Sequence, residues 1–184
     1  DSLCPVWGKL YRRSLIQKSG ARFVDLAEIG SYEDGFFNLE VFGKADRVVY
    51  LAAYLYHYRR DGSSSVTSGY NPRLYDQWQT LYDRMESIIR SNQLGSEYEA
   101  ALNNRIALGI LGLGLNITVS TQSMGKKVKD IHRIIRQERY RKAYKNLPLN
   151  YFPIHWKLFY GCARHGFAFG VYVLLTVIQR IISR

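Results

Sequence analysis

Cysteine is nearly missing from this 184-residue chain, which holds only Cys4 and Cys162. Two thiols so far apart in sequence support neither a disulfide framework nor a zinc site, and they read as reduced cysteines of a cytosolic environment. Glycine-rich phosphate loops of the Walker or dinucleotide type are absent too, which removes the commonest nucleotide-binding signatures. No secretory leader opens the chain, although a truncated start would hide one, and the abrupt beginning at Asp1 is what a piece of a longer protein would show. Acids are scarce: 15 Asp and Glu stand against 26 Lys and Arg, a net charge of +11. Such an excess points to a polyanionic partner, whether nucleic acid, an anionic membrane surface or a phosphorylated substrate.

What is present changes character along the chain. Up to residue 68 short helical and extended signals alternate, as in an α/β domain. Phe36, Phe37, Leu39, Val41 and Phe42 supply an apolar helix of about three turns, while 48–51 and 54–58, rich in β-branched and aromatic residues, read as two short strands. The Asp61-Gly62-Ser63-Ser64-Ser65 stretch reads as a loop. From Asn71 the period becomes helical: Leu74, Trp78, Leu81, Tyr82, Met85, Ile88 and Ile89 form one stripe, and a second helix is expected over about 96–119. Gly109, Gly112 and Gly114 within it suit the close approach of another helix. This divides the chain into 1–68, a helical region 69–147 and an apolar, basic tail 148–184.

The run from Lys126 to Lys145 sets Asp130 and Glu138 against nine Lys and Arg residues. It reads as one basic amphipathic helix whose Val128, Ile131, Ile134 and Ile135 stripe either packs on its neighbours or accompanies contact with anionic headgroups. Gly166 to Ile178 then carries no charge, but its thirteen residues fall short of the roughly twenty needed to span a bilayer. Interfacial insertion, burial against other helices and a tilted partial span all remain open for it, with Arg164, His165, Arg180 and Arg184 as flanking residues able to reach headgroups.

The most chemically suggestive stretch is Ser31-Tyr32-Glu33-Asp34-Gly35-Phe36-Phe37, an adjacent carboxylate pair opening a helix. By itself it has a structural reading, because Ser31 followed three residues later by Asp34 has the spacing of a helix cap, and carboxylates suit the positive end of a helix. Two further blocks flank it: Trp7-Gly8-Lys9-Leu10-Tyr11-Arg12-Arg13 upstream and Leu55-Tyr56-His57-Tyr58-Arg59-Arg60 downstream. In order and spacing these three blocks resemble the C-terminal part of the catalytic domain of glycosyltransferase family 2 enzymes of the surface-polysaccharide type.

That resemblance implies an α/β fold over 1–68, the C-terminal portion of a GT-A domain, followed by mainly helical structure. It implies an inverting transfer of sugar from a nucleotide diphosphate to a hydroxyl of a glycan or lipid-linked acceptor, with Asp34 as general base and Glu33 orienting the site or touching the acceptor. Arg59, Arg60, Ser63, Ser64 and Ser65 match the segment that closes over the donor diphosphate, where cations and hydroxyls stabilise the departing charge. Trp7, Lys9 and Tyr11 are candidates for the acceptor side; packing on the catalytic domain is their structural alternative. Because some members use a histidine near this position as a metal ligand, His57 is a candidate for one, although a lone His between tyrosines is commonly structural. A divalent metal, Mn²⁺ or Mg²⁺, is implied, but the family's Asp-x-Asp motif does not occur here, so its main ligands are expected outside this chain. The isolated fragment is accordingly expected to be inactive. Its expected location is cytoplasmic and peripheral, at the inner face of the cell membrane. The competing reading is a non-enzymatic basic helical module for nucleic acid, anionic membrane or a partner helix. It leaves the three blocks unexplained, and no nucleic-acid motif appears, so a nucleic-acid partner is not expected.

Overall fold

The computed structural model describes residues 4–53, 55–57 and 69–182. Among them the only regular structure is helical: α1 (Arg13–Ser19), α2 (Leu26–Ile29), α3 (Glu33–Phe42), α4 (Leu74–Ser91), α5 (Ser96–Thr118), α6 (Met124–Ile135), α7 (Glu138–Asn146), α8 (Ile154–His165) and α9 (Ala168–Ile182), with a 3₁₀ turn at Leu149–Tyr151. The expected α/β class is therefore corrected, since no strand occurs among the described residues. Residues 48–51 and 55–57 have no regular structure, and Tyr54 and Tyr58 lie outside the described residues. The physical reason is the lack of a partner strand among the described residues. Val48, Val49, Tyr50, Leu51, Leu55 and Tyr56 are all exposed, with Tyr50 at 83 %. High β-propensity expresses the fit of a side chain to a pleated, half-buried sheet, and without neighbouring strands that preference has nothing to act on.

The chain divides into two compact units. One comprises 1–68 and 73–95, and in it α3 packs on α1 and α4 while α2 packs on α4. Its core joins Ala21, Phe37 and Val41 to the flanking Val6, Tyr11, Leu15, Ile16 and Phe42. Phe23 stacks on Phe37 with ring centroids 4.5 Å apart, and Tyr11 meets the same ring edge-on at 5.7 Å. On α4 the expected stripe is buried through Trp78, Leu81, Tyr82, Met85 and Ile89.

The other unit comprises 69–72 and 96–184, with α5 at its centre against α6, α7 and α9. Gly114 of α5 lies so near α9 that a Cβ there would sit 2.3 Å from Leu175 Cδ1, which is the close approach expected of these glycines. Asn71 and Asn116 exchange two hydrogen bonds: the Asn71 amide donates to Asn116 Oδ1 and Asn116 Nδ2 donates to the Asn71 carbonyl, both at 2.8 Å. Helix α5 is long and apolar enough to cross a membrane by length and composition, and 44 % of its apolar window is buried.

The basic run departs from expectation in one way. It breaks into α6 and α7 at Arg136 and Gln137, where Gln137 takes an extended backbone at the N-cap of α7. Of the two expectations for its apolar stripe, packing is the one seen: Ile131, Ile134 and Ile135 are buried, while Lys126, Lys129, His132, Arg133 and Arg136 are exposed to solvent.

Candidate functional site

The acid pair opens α3 in an unusual way. Tyr32, at the N-cap, has φ 75°, in the left-handed region that non-glycine residues rarely occupy, and supplies no side-chain cap. Gly35 makes this possible, because a Cβ there would lie 2.3 Å from the Tyr32 ring. Ser31 does not cap the helix as its spacing suggests; its Oγ instead accepts a hydrogen bond from Trp78 Nε1 at 3.1 Å. The capping reading is thereby corrected: α4 claims the hydroxyl that the helix start would have used.

Asp34 is held from a distance in sequence rather than by its own helix. The Val6 amide donates to Asp34 Oδ2 at 3.1 Å, and Oδ1 takes no hydrogen bond from the described residues. Three further bonds tie the same N-terminal segment to α3. Asn38 Nδ2 donates to the Cys4 carbonyl at 2.6 Å, the Tyr11 hydroxyl donates to Asn38 Oδ1 at 2.6 Å, and Cys4 Sγ meets the Tyr32 hydroxyl at 2.9 Å. Burial, followed by the Asp34 charge, pushes the Tyr11 phenol above its ordinary range, so it remains a protonated donor to Asn38. Both Glu33 and Asp34 are half-buried, a setting that keeps a carboxylate accessible while fixing its position.

The acceptor-side candidates converge on this place unevenly. Trp7, next to Val6, is 44 % exposed and stacks on Tyr56, itself 50 % exposed, with centroids 5.0 Å apart and planes 22° from parallel. An exposed, supported aromatic face of this kind is what a sugar ring packs against. Lys9 curls back so that its ammonium donates to the Pro5 carbonyl. Tyr11 faces inward to Asn38 and Phe37. His57 is exposed, and the described residues contain no group of three His, Cys, Asp or Glu side chains able to hold a metal ion. The main ligands of the implied metal are expected outside this chain, and no step is assigned to it. The donor-phosphate candidates Arg59, Arg60, Ser63, Ser64 and Ser65 lie outside the described residues.

A cleft of about 430 Å³ in the same unit is lined by Arg22, Asp25, Glu28, Glu40 and Arg84 among others, and its lining includes neither Glu33 nor Asp34. Its charges largely answer one another: Arg84 pairs with Glu28, and the Arg22 amide donates to Glu40 at 3.4 Å. Burial raises the Glu40 carboxyl, against the opposing pull of that amide and of Arg84.

Sequence reasoning did not find Asn38, Tyr32, Cys4 or Tyr56. Asn38 carried a usable signal, being the one polar residue in Phe36-Phe37-Asn38-Leu39 and one turn beyond Asp34, on the same side of α3. The Cys4 and Val6 contacts carried none, because they depend on how the N-terminal segment lies across the helix.

No protein-family model matches the chain, and no solved structure matches it significantly. Curated relatives do. The chain is 33 % identical over 102 residues to EpsH of Bacillus subtilis (strain 168), named as a glycosyltransferase, covering 55 % of this chain and 29 % of that protein. It is 30 % identical over 157 residues to the uncharacterized glycosyltransferase EpsJ of the same organism, covering 85 % and 44 %. It is 31 % identical over 161 residues to the glycosyltransferase GlyA of Streptococcus pneumoniae serotype 4 (strain ATCC BAA-334 / TIGR4), covering 82 % and 21 %. The chain spans less than half the length of each of these relatives. Along most of its own length, then, it is a homologue of proteins named as glycosyltransferases.

Proposed function

We propose that this chain is part of a family 2 glycosyltransferase that moves a sugar from a nucleotide-diphosphate donor to a hydroxyl of a glycan or lipid-linked acceptor, with inversion, in surface-polysaccharide synthesis. The observation that carries the reading is the state of Asp34. Its carboxylate is anchored through one oxygen by the amide of Val6, the neighbour of the Trp7 that stacks on Tyr56, and the other oxygen takes no hydrogen bond from the described residues.

An alcohol is too weak an acid to attack unaided. As the acceptor oxygen bonds to the anomeric carbon, its proton passes to Asp34 Oδ1 and the bond from that carbon to the diphosphate oxygen breaks, the electron pair leaving with the diphosphate. One displacement inverts the anomeric carbon and needs no covalent nucleophile. Arg59, Arg60 and the Ser63 to Ser65 hydroxyls are assigned to the departing charge on the strength of the resemblance, and the Trp7 face to the acceptor ring. The protein is placed at the cytoplasmic face of the cell membrane, where a lipid-linked acceptor would be met.

Asp34→Asn tests the assignment, because Asn can still accept the Val6 amide while losing basicity. In the full-length protein, assayed with labelled nucleotide-diphosphate sugars and a membrane extract as acceptor source, turnover should fall by about 10² to 10⁴ with donor affinity kept. Turnover within a few-fold of the parent would refute Asp34 as base. A product with the donor's anomeric configuration would refute single displacement.

A further inference from the structure

Helix α9 is apolar on both of its sides. Ala168, Val171 and Leu175 are buried against the unit, whereas Phe169, Val173, Val177 and Ile181, spaced four residues apart, are exposed at 50 %, 42 %, 48 % and 68 %. At helical periodicity these four form one stripe along the side opposite the buried residues. The turn before it adds Phe167, exposed at 55 %, and α8 adds the exposed pair Ile154 and Leu158. A soluble surface helix normally presents polar residues outward, and a contiguous apolar stripe of this length marks a docking surface.

The surroundings indicate what docks. Helix α6 packs on α9 and keeps Lys126, Lys129, His132, Arg133 and Arg136 exposed. Arg136 reaches the turn between α8 and α9, where its guanidinium lies over Gly166. Asp130 and Glu138 are the only acids from residue 124 onward. An apolar stripe bordered by cations and nearly free of acids matches an anionic bilayer surface, where the stripe enters the acyl boundary and the cations meet headgroup phosphates. Because Ala168, Val171 and Leu175 on its other side are buried in the unit, α9 offers lipid one side only, which suits a helix lying along the interface.

We infer that the outward face of α9, Phe169, Val173, Val177 and Ile181, is a membrane-docking surface that inserts at the interface of anionic lipid, with the exposed cations of α6 as its electrostatic border. This assignment names a lipid-binding surface and does not depend on Asp34 or on transfer, so its failure and the failure of the transfer reading are separable.

The experiment is flotation of the full-length protein with phosphatidylcholine vesicles made with and without phosphatidylglycerol. The parent should float with the anionic vesicles and much less with pure phosphatidylcholine. Val173→Gln with Val177→Gln, both on the exposed side, should lower that binding by about tenfold or more at unchanged melting temperature, since each removes an apolar side chain from the lipid. Lys129→Glu with Arg133→Glu should weaken binding to anionic vesicles and reduce its dependence on salt. Binding unchanged by the valine pair would overturn the proposal. So would a valine pair that lowers the melting temperature of the parent or dissociates a dimer without affecting flotation, because the stripe would then be covered by protein.

Discussion

Carboxylates in the first turn of a helix ordinarily find donors among that helix's own amides. Asp34 instead takes the Val6 amide, and Asn38, one turn later, takes Tyr11 and offers its amide to the Cys4 carbonyl. Asn38 is 3 % exposed, so its loss would strand a buried carbonyl and a phenol that burial keeps protonated. Asn38→Ala is expected to destabilise the fold by about 1–3 kcal/mol, read by urea unfolding, and to lower transfer by displacing the segment that positions Asp34. Asn38→Asp keeps an acceptor for Tyr11 and should recover part of the stability. If Asn38→Ala unfolds like the parent, the anchoring role of this residue is wrong. A polar residue inside an apolar helical run could be read from the sequence as an oddity; its two partners could not, because they lie 27 and 34 positions away.

At the scale of elements, two helices show what composition leaves open. The stripe of the basic run could face lipid or its neighbours, and Ile131, Ile134 and Ile135 are core residues; the segment of α9 could be buried or interfacial, and it is buried on one side and exposed on the other. Periodicity reports that a face is apolar and is silent on which neighbour covers it. Helix α8 offers a measurable consequence of burial. Tyr160, 3 % exposed and packed among Phe152, Trp156 and Phe159, has its phenol pushed up from 10.0 to about 12 by desolvation. A raised folded-state value favours the neutral phenol in the fold, so this contribution is intact below pH 10 and is lost as the pH rises toward 12. Tyr160→Phe should therefore resist alkaline unfolding in that window better than the parent, relative to its own stability at neutral pH. Parallel loss in both proteins would contradict it.

For the molecule as a whole, one unit carries the acid pair and the other carries nearly all of the net positive charge. The chain spans less than half of the relatives it matches, and the three motif blocks hold neither an Asp-x-Asp nor, among the described residues, any cluster that could hold a metal. The 184 residues expressed alone are accordingly expected to transfer no sugar from nucleotide-diphosphate donors, as measured by product formation with a membrane extract; transfer by the fragment would show that the donor site lies within it. By themselves, the residues determined the helical stripes of α4 and α5, the acid pair at a helix start and the strong positive charge, because spacing and composition act locally. Tertiary structure alone decided the rest. The β-rich segment at 48–57 stayed irregular among its described residues for want of a partner strand, Ser31 turned to Trp78 rather than to its helix, and Asp34 found its anchor in Val6. Each of those outcomes depends on which distant group arrives, and local propensity carries no information about distant groups.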